Sequence, residues 1–144
     1  MMFERILLAV DSSDETREAI RTAIELAKTT RGEIIVVHVH AKDMGFEVKG
    51  DVESRLEAQM LIEAACDVVK KADVPVTGDL RAARADKVAA QIVAAADSFG
   101  ADCIVVGSRG AGPVAEMLMG SVANEVVHHA HCAVLVARRV AVAA

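Results

Sequence analysis

Residues 105–122 read VVGSRGAGPVAEMLMGSV. The apolar run Ile104–Val106 stops at the first glycine of this stretch, and the nine residues after Ser121, VANEVVHHA, indicate a helix. Two residues and then nine residues separate its main glycines, which are Gly107, Gly110 and Gly120. The stretch therefore predicts a buried strand, a glycine loop and a helix, which is the repeating unit of a parallel α/β fold.

A loop of this kind suits a polyphosphate ligand. Glycine lets the main chain approach a ligand closely, and successive backbone N–H groups form concave sites for anions. The helix that starts at Gly120-Ser121 adds N–H groups and the positive end of its dipole. Arg109 adds a fork of donors that matches a phosphate group.

The spacing G-x2-G-x9-G-S resembles that of the ATP-binding branch of the universal stress protein family. Three further segments are similar to that family, so that the likeness covers nearly the whole chain: ILLAVDSS, GADCIVVGSRG and HHAHCAVLVARR. Two places depart from the pattern. His131 and Ala133 stand where the family often has proline, and Ala83–Ala85 replaces a typical Gly-Asx-Pro turn.

The resemblance implies an ATP-dependent regulator, with phosphates on the Gly107–Gly110 loop and on Gly120, Ser121 and Val122. It also implies that the backbone of Val39 meets the adenine ring. We expect Mg²⁺ to accompany the nucleotide, because it offsets the phosphate charge in an acidic protein. The downstream protein partner is unknown from the sequence.

The end of the first strand supplies the rest of the predicted site. Asp11 follows an apolar strand, where its carboxylate is expected to contact ribose hydroxyls, a metal ion or both, unless it is an ordinary turn residue. Ala9 and Val10 are expected to reach the edge of the base through main-chain atoms.

Composition narrows the class of protein. The 144 residues predict one domain, 1–144, and the 53% apolar and 2% aromatic content predicts an aliphatic core. A net charge of −5 disfavours a nucleic-acid partner. Three widely spaced cysteines indicate reduced thiols in the cytoplasm, and leave a redox role for Cys66 open. The N-terminal apolar run ends at Asp11, so we expect no membrane span.

Strand and helix patterns alternate along the chain. Strands are predicted at Ile6–Val10 and Glu33–His40, near Pro75–Leu80 at a sheet edge, at Ala101–Val106 and at Ala133–Val140. The predicted helices follow a Ser12–Glu15 capping box, span Asp51–Lys71, begin at an Asp86 cap, and follow Gly120. The first helix would close at Gly32 and the third at Gly100, and Ala41–Gly50 would be a loop.

Two of these helices carry predicted apolar faces. The first face is Ala19, Ile20, Ala23, Ile24 and Ala27, and the second is Leu56, Met60, Ala64 and Val68. The alternation predicts a doubly wound, five-stranded parallel sheet with helices on both faces. If strands two and three lie on one side of strand one, strand four returns to its other side, and the order is 3-2-1-4-5, which the resemblance also implies. Asp11 and Gly107 would then face each other where the winding reverses.

Other sites remain as alternatives. No Lys precedes the hydroxyl residue as in a Walker A motif, and residues 110–115 fit a dinucleotide loop but lack the βαβ unit that should follow. Metal binding is conceivable at His38 and His40, and at a second cluster of His128, His129, His131 and Cys132. Cys103 and Cys132 are expected to be inert core thiols.

Two other functions compete with a regulator of little or no ATPase activity. One is a slow ATP hydrolase or adenylyl-transferring enzyme of related fold, although Asp11 is the one evident base. The other is a protein-interaction module without nucleotide. In each case we expect a homodimer joined through the last strand, Ala133 to Val140, because an apolar terminal strand would leave an open edge.

Overall fold

A computed structural model describes residues 2–42, 54–108 and 119–138. The described strands are β1 (Arg5–Ala9), β2 (Glu33–Lys42), β3 (Val76–Arg84), β4 (Cys103–Gly107) and β5 (Ala133–Ala137). The described helices are α1 (Glu15–Thr30), α2 (Arg55–Lys71), α3 (Val88–Phe99) and α4 (Ser121–His129). A short 3₁₀ turn, Ala85–Lys87, precedes α3.

The strands form one parallel sheet in the order β3-β2-β1-β4-β5, which confirms the predicted fold. β1 lies at its centre, where Leu7 pairs with Ile35 on one side and Ile104 on the other. The apolar runs become central strands because both of their faces are covered. Ile6, Leu7 and Leu8 are fully buried.

The helices cover the two faces in pairs. Ile6 and Leu8 pack with the buried alanines of α1 and with the buried side of α2, whereas Leu7 packs with α3 and α4. The predicted face of α1 is confirmed, since Ala19, Ala23 and Ala27 are buried there. The winding therefore reverses between β1 and β4, and the segments that follow these strands diverge to opposite faces.

The predicted apolar face of α2 is wrong. Leu56, Met60 and Val68 are 70%, 58% and 48% exposed, and Ala64 is exposed with them. A second apolar series is buried instead: Ala58, Ile62, Ala65 and Val69. The physical reason lies in the neighbouring strand, because an ideal Cβ at Gly78 would stand 2.8 Å from Cγ2 of Ile62. The absent side chain at position 78 makes room for this second face.

Two truncations on α2 test this assignment. Ile62→Ala is expected to lower the free energy of unfolding by about 2–5 kcal/mol, because it leaves a cavity in the core. Met60→Ala is expected to change it by less than about 0.5 kcal/mol, since Met60 is a surface residue. Urea unfolding of both variants measures the difference. If Met60→Ala lowers the free energy of unfolding more than Ile62→Ala does, the face predicted from the sequence is the buried one.

The helix starts also depart from prediction. Asp14 precedes α1 without a side-chain cap, so the expected Ser12–Glu15 capping box is not formed. Lys87, rather than Asp86, precedes α3, again without a side-chain cap. In contrast, Ser54 caps α2 by accepting the N–H of Glu57 at 3.1 Å. The predicted start of this helix at Asp51 lies outside the described residues.

The end of α1 assigns a different role to Gly32. Arg31 adopts the left-handed conformation, with φ of 57°, that we expected of this glycine. Gly32 is needed for close approach, because a Cβ there would lie 2.7 Å from the carbonyl oxygen of Glu4. At the end of α3, Gly100 has φ of 73° and the expected capping role is confirmed.

Strand ends differ by a few residues from those predicted. β2 continues through Ala41 and Lys42, where the sequence predicts a loop, because β3 pairs with it as far as Arg84. β3 lies at the sheet edge as predicted. β5 ends at Ala137, three residues before the predicted Val140, and positions 139 and 140 lie outside the described residues.

Candidate functional site

A cleft opens at the carboxyl ends of the central strands, as expected for a doubly wound sheet. Its floor comes from the ends of β1, β2 and β4, and its walls come from the starts of α1, α3 and α4. The lining residues are Ala9, Val10, Asp11, Thr16, Val37, Val39, Val88, Ile92, Val106, Gly107, Val122 and Ala123. The structure thus brings together six of the predicted residues: Ala9, Val10, Asp11, Val39, Gly107 and Val122.

Asp11 is held by the residues that follow it. Its Oδ1 atom accepts the backbone N–H of Ser13 at 2.9 Å and a short hydrogen bond from the Ser13 hydroxyl. The Thr16 hydroxyl lies 2.8 Å from the same oxygen and accepts the N–H of Asp11 at 2.9 Å. Among the described residues, these bonds to the carboxylate all end on Oδ1, so Oδ2 is the oxygen available to a ligand.

The main chain of Val10 is already engaged within the protein. Its N–H donates to the carbonyl of Val37 at 2.9 Å, and its carbonyl accepts Nδ1–H of the buried His38 at 2.8 Å. The tautomer of His38 must therefore carry a proton on Nδ1. A base edge can approach Val10 through the second lone pair of its carbonyl, but not through its N–H.

Val39 directs its backbone toward the cleft. The β1–β2 ladder ends at the Ala9–Val37 pair, whereas β2 runs on to Lys42. Two residues that are two positions apart on a strand direct their N–H and C=O groups toward the same neighbouring strand. Val37 accepts from Val10 on the β1 side, so Val39 presents its donor and its acceptor on that side, beyond the last β1 pair. This residue therefore offers a paired donor and acceptor at the mouth of the cleft.

Gly107 has a packing role that the sequence did not indicate. A Cβ at this position would lie 2.9 Å from Cβ of Glu15, so the absent side chain lets the start of α1 pack against the end of β4. We predicted that this glycine allows approach of a ligand. The structure shows that it first allows approach of α1.

The two ends of the glycine loop are tied together. The N–H of Gly120 donates to the carbonyl of Ser108, and the N–H of Ser108 donates to Ala137 in β5 at 2.8 Å. Ser108 is buried. The N–H of Gly120 is therefore used inside the protein, while Arg109 and Gly110, predicted to bind phosphate, lie outside the described residues.

Within the described residues, the start of α4 has helix N–H groups with no acceptor in the helix, as an anion site requires. Gly120 is the N-cap, and its carbonyl accepts the N–H of Asn124 at 2.9 Å. Ser121 is therefore the first helical residue and not the cap, and it is exposed. The N–H groups of Ser121, Val122 and Ala123 belong to the first helical turn, where no earlier carbonyl of the helix can accept them.

The alternative metal sites gain no support. Within the described ranges, no three His, Cys, Asp or Glu side chains are grouped as metal ligands. His131 lies 3.0 Å from the Asp97 carboxylate, and Nδ1 of His128 bonds the carbonyl of Asn124 in its own helix. These contacts account for two of the four residues in the predicted second cluster.

The two cysteines expected to be core thiols differ. Cys103 is buried, and burial raises the pKa of its thiol to about 11, so it is protonated at neutral pH as expected for an inert thiol. Cys132 is only half-buried and lies before β5 rather than within it. Burial raises the pKa of the Cys132 and Cys66 thiols as well.

Sequence reasoning missed Thr16, Ser108 and the apolar wall that Val88 and Ile92 contribute from α3. No sequence motif identifies a threonine five residues after an aspartate as a residue of a binding site. The wall residues were visible as the apolar side of a helix, but nothing in the sequence placed that helix beside the cleft.

None of the helices in the described ranges has the length and apolar character that a membrane span requires.

The model of the universal stress protein family matches residues 2–138. Among individual relatives, the universal stress protein YxiE of Bacillus subtilis is 28% identical, with 95% of this chain and 100% of the relative covered. A universal stress protein of Methanocaldococcus jannaschii is 30% identical, covering 96% of this chain and 84% of that protein.

A solved structure adds information about a ligand. The universal stress protein from Archaeoglobus fulgidus in complex with dAMP is 27% identical to this chain and superposes with a TM-score of 0.71. The match covers 95% of this chain and 99% of that one. The Archaeoglobus protein, which shares the fold and 27% of its residues with this chain, therefore binds an adenine nucleotide.

Proposed function

Because this chain belongs to the universal stress protein family, we propose that it is an ATP-binding regulator that works as a nucleotide-dependent switch. The observation that carries the proposal is the cleft, in which an apolar slot, a carboxylate and a helix N-terminus lie at one switch point. The adenine nucleotide bound by the Archaeoglobus relative supports the same ligand class.

The apolar part of the cleft suits the base. Ala9, Val37, Val39 and Ile92 form a slot with aliphatic sides. The N–H and C=O of Val39, which point toward the β1 side beyond the last β1 pair, would match the N1 acceptor and the amino donor of adenine. The cleft measures about 70 Å³, below the roughly 300–1,000 Å³ of a complete small-ligand site. It therefore accommodates part of a nucleotide, and the triphosphate would extend out of it.

The start of α4 suits the phosphates. Ser121 and Val122 offer helix N–H groups, a hydroxyl and the positive end of a dipole. Arg109 and Gly110 would complete the phosphate site. Gly120 would contribute space rather than a donor, because its N–H is bonded to Ser108.

Mg²⁺ would accompany the phosphates and neutralise part of their charge. If Asp11 contacts this ion rather than the sugar, it does so through Oδ2, since Oδ1 already accepts hydrogen bonds from Ser13 and Thr16. A single carboxylate oxygen is a common protein contribution to Mg²⁺, whose other ligands are phosphates and waters.

Mass spectrometry of nucleotide released from the purified protein under denaturing conditions tests the proposal. Co-purifying ATP supports the switch. AMP or ADP, together with rapid turnover, would favour the hydrolase or adenylyl-transferring enzyme. A protein that carries no nucleotide and gives no heat on titration with Mg·ATP would instead be an interaction module.

Ser121→Ala is expected to weaken Mg·ATP binding by about 1–2 kcal/mol, because one hydrogen bond is lost while the helix N–H groups remain. The free energy of unfolding should change by less than about 0.5 kcal/mol, since Gly120 and not Ser121 is the N-cap. Calorimetric titration and urea unfolding of the same variant measure both quantities. Lower stability with unchanged affinity would show a purely structural serine.

We also propose a homodimer through β5, which lies at the margin of the described sheet. Ala137 accepts a bond from Ser108 on the β4 side, so the backbone N–H of Val136 points to the outer edge. Val136→Pro should therefore yield folded monomers by light scattering. Leu135→Pro is the matched control, because its N–H belongs to the β4 ladder and its loss should destabilise the fold. A wild-type monomer at micromolar concentration would exclude this dimer.

A further inference from the structure

We infer that Thr16 is a positioning residue of the nucleotide site, which holds Asp11 so that Oδ2 meets a sugar hydroxyl of the ligand. The inference rests on the proposed function, because it needs a nucleotide in the cleft. It concerns a residue that no motif in the sequence marks, and it assigns one of the two roles left open for Asp11.

The Thr16 hydroxyl binds three atoms of one residue. It accepts the N–H of Asp11 at 2.9 Å, and its own O–H has two acceptors within reach, the carbonyl oxygen of Asp11 at 2.9 Å and Oδ1 at 2.8 Å. Both the backbone and the carboxylate of Asp11 are thus fixed by one side chain. Ser13 adds a backbone N–H to Oδ1 at 2.9 Å.

These bonds are not a helix cap. A capping side chain accepts N–H groups of the first helical turn. Thr16 is itself the second residue of α1, and its hydroxyl reaches back to a residue before the helix. The arrangement therefore orders the segment between β1 and α1, and it does so where both Asp11 and Thr16 line the cleft.

The strand order explains why the ligand atom is a sugar hydroxyl. The apolar slot with Val39 lies on the β2 side of the cleft, and the start of α4 follows β4 on the other side. Asp11 stands at the end of β1, between them. In a nucleotide, the sugar lies between base and phosphate, so a ligand that spans the cleft places its sugar over β1. Because the carboxylate is already oriented there, it loses little conformational entropy when the ligand binds.

Two substitutions at one position separate the hydroxyl from the shape of the side chain. Thr16→Val keeps the shape and removes the hydroxyl, and Thr16→Ser keeps the hydroxyl. Amide exchange of Asp11 in the ligand-free protein, measured by NMR, should accelerate at least about 10-fold in Thr16→Val and stay near wild type in Thr16→Ser. This readout needs no nucleotide.

Binding is then compared by calorimetry with Mg·ATP. Thr16→Val should weaken affinity about 5–10-fold, and Thr16→Ser less than about twofold. In an Asp11→Ala background, Thr16→Val should add no further loss, because Thr16 acts through Asp11. Removal of the ribose hydroxyls from the nucleotide should cost the wild type more than it costs Thr16→Val. Ser13→Ala, with one donor fewer on Oδ1, is the milder variant if Thr16→Val does not fold, and should lose about 2–3-fold.

Unchanged affinity in a folded Thr16→Val would overturn the inference, as would an equal loss in the presence and absence of the Asp11 carboxylate. A loss that depends on Mg²⁺ and not on the sugar hydroxyls would assign Asp11 to the metal and also overturn it. If the wild type does not bind Mg·ATP, the proposed function fails, and unchanged amide exchange in Thr16→Val would show separately that the hydroxyl does not hold Asp11.

Discussion

Gly120→Val is expected to weaken Mg·ATP binding by about 100-fold or more, because steric overlap with a ligand costs several kcal/mol. The residue is the N-cap of α4, with φ of −67° and ψ of 164°. This is extended backbone that valine adopts without strain, so the protein should still fold. The two methyl groups would occupy the place proposed for phosphate at the helix start.

A matched control exists at the other end of the same helix. Ala130 is the C-cap of α4 and is also extended, with φ of −65° and ψ of 147°. Ala130→Val should bind Mg·ATP like the wild type, whereas Gly120→Ala should give an intermediate loss. Calorimetric titration and a thermal melt are needed for each variant. If Gly120→Val folds and binds Mg·ATP with normal affinity, the start of α4 is not part of the binding site.

The second large effect concerns turnover. Single-turnover hydrolysis is expected to take on the order of minutes or longer, whereas typical enzymes turn over at about 10 per second. The helix N–H groups of α4 favour phosphate charge in the ground state as well as in the transition state. Binding that is equal in both states increases affinity without lowering the barrier.

Within the described residues, Asp11 is the one carboxylate that lines the cleft, and its proposed contact with the ligand would occupy Oδ2. Oδ1 of Asp11 accepts bonds from Ser13 and Thr16, so this carboxylate is held in one orientation. Glu15 is the carboxylate residue that packs against Gly107, and the loop carboxylate Glu116 lies outside the described residues. A phosphate-release assay should therefore be run on the wild type, Asp11→Asn and Glu15→Gln. Rapid release that either substitution abolishes would establish an ATPase in place of the switch.

Much of the architecture was predictable from local pattern. Apolar runs such as Ile6–Leu8 are continuous because the central strands are covered on both faces. Alternation of these runs with helices predicted a doubly wound parallel sheet, and the family resemblance implied the order 3-2-1-4-5, in which Asp11 and Gly107 stand at the ends of neighbouring strands. The glycine spacing led to the family, which the match over residues 2–138 confirmed.

The failures share a cause. In α2, two apolar series have helical spacing, and Ile62 rather than Met60 packs against Gly78, a residue outside the helix whose missing side chain leaves room for it. At the start of α1, a capping box was plausible within the sequence, yet the hydroxyl that organises this segment is Thr16, bonded back to Asp11. Each error came from a competition that local sequence could not decide.

By itself, the sequence determined the elements and, through the family resemblance, their order in the sheet and the edge at which a ligand would meet them, because periodicity and glycine spacing involve residues that are neighbours along the chain. The tertiary structure decided which groups there remain available. It paired the N–H of Val10 with Val37 and that of Gly120 with Ser108, and it left Oδ2 of Asp11 and the backbone of Val39 at the cleft. Hydrogen-bond donors and acceptors are used up by whichever partners packing brings within about 3 Å, and those partners come from strands and loops that are distant in sequence.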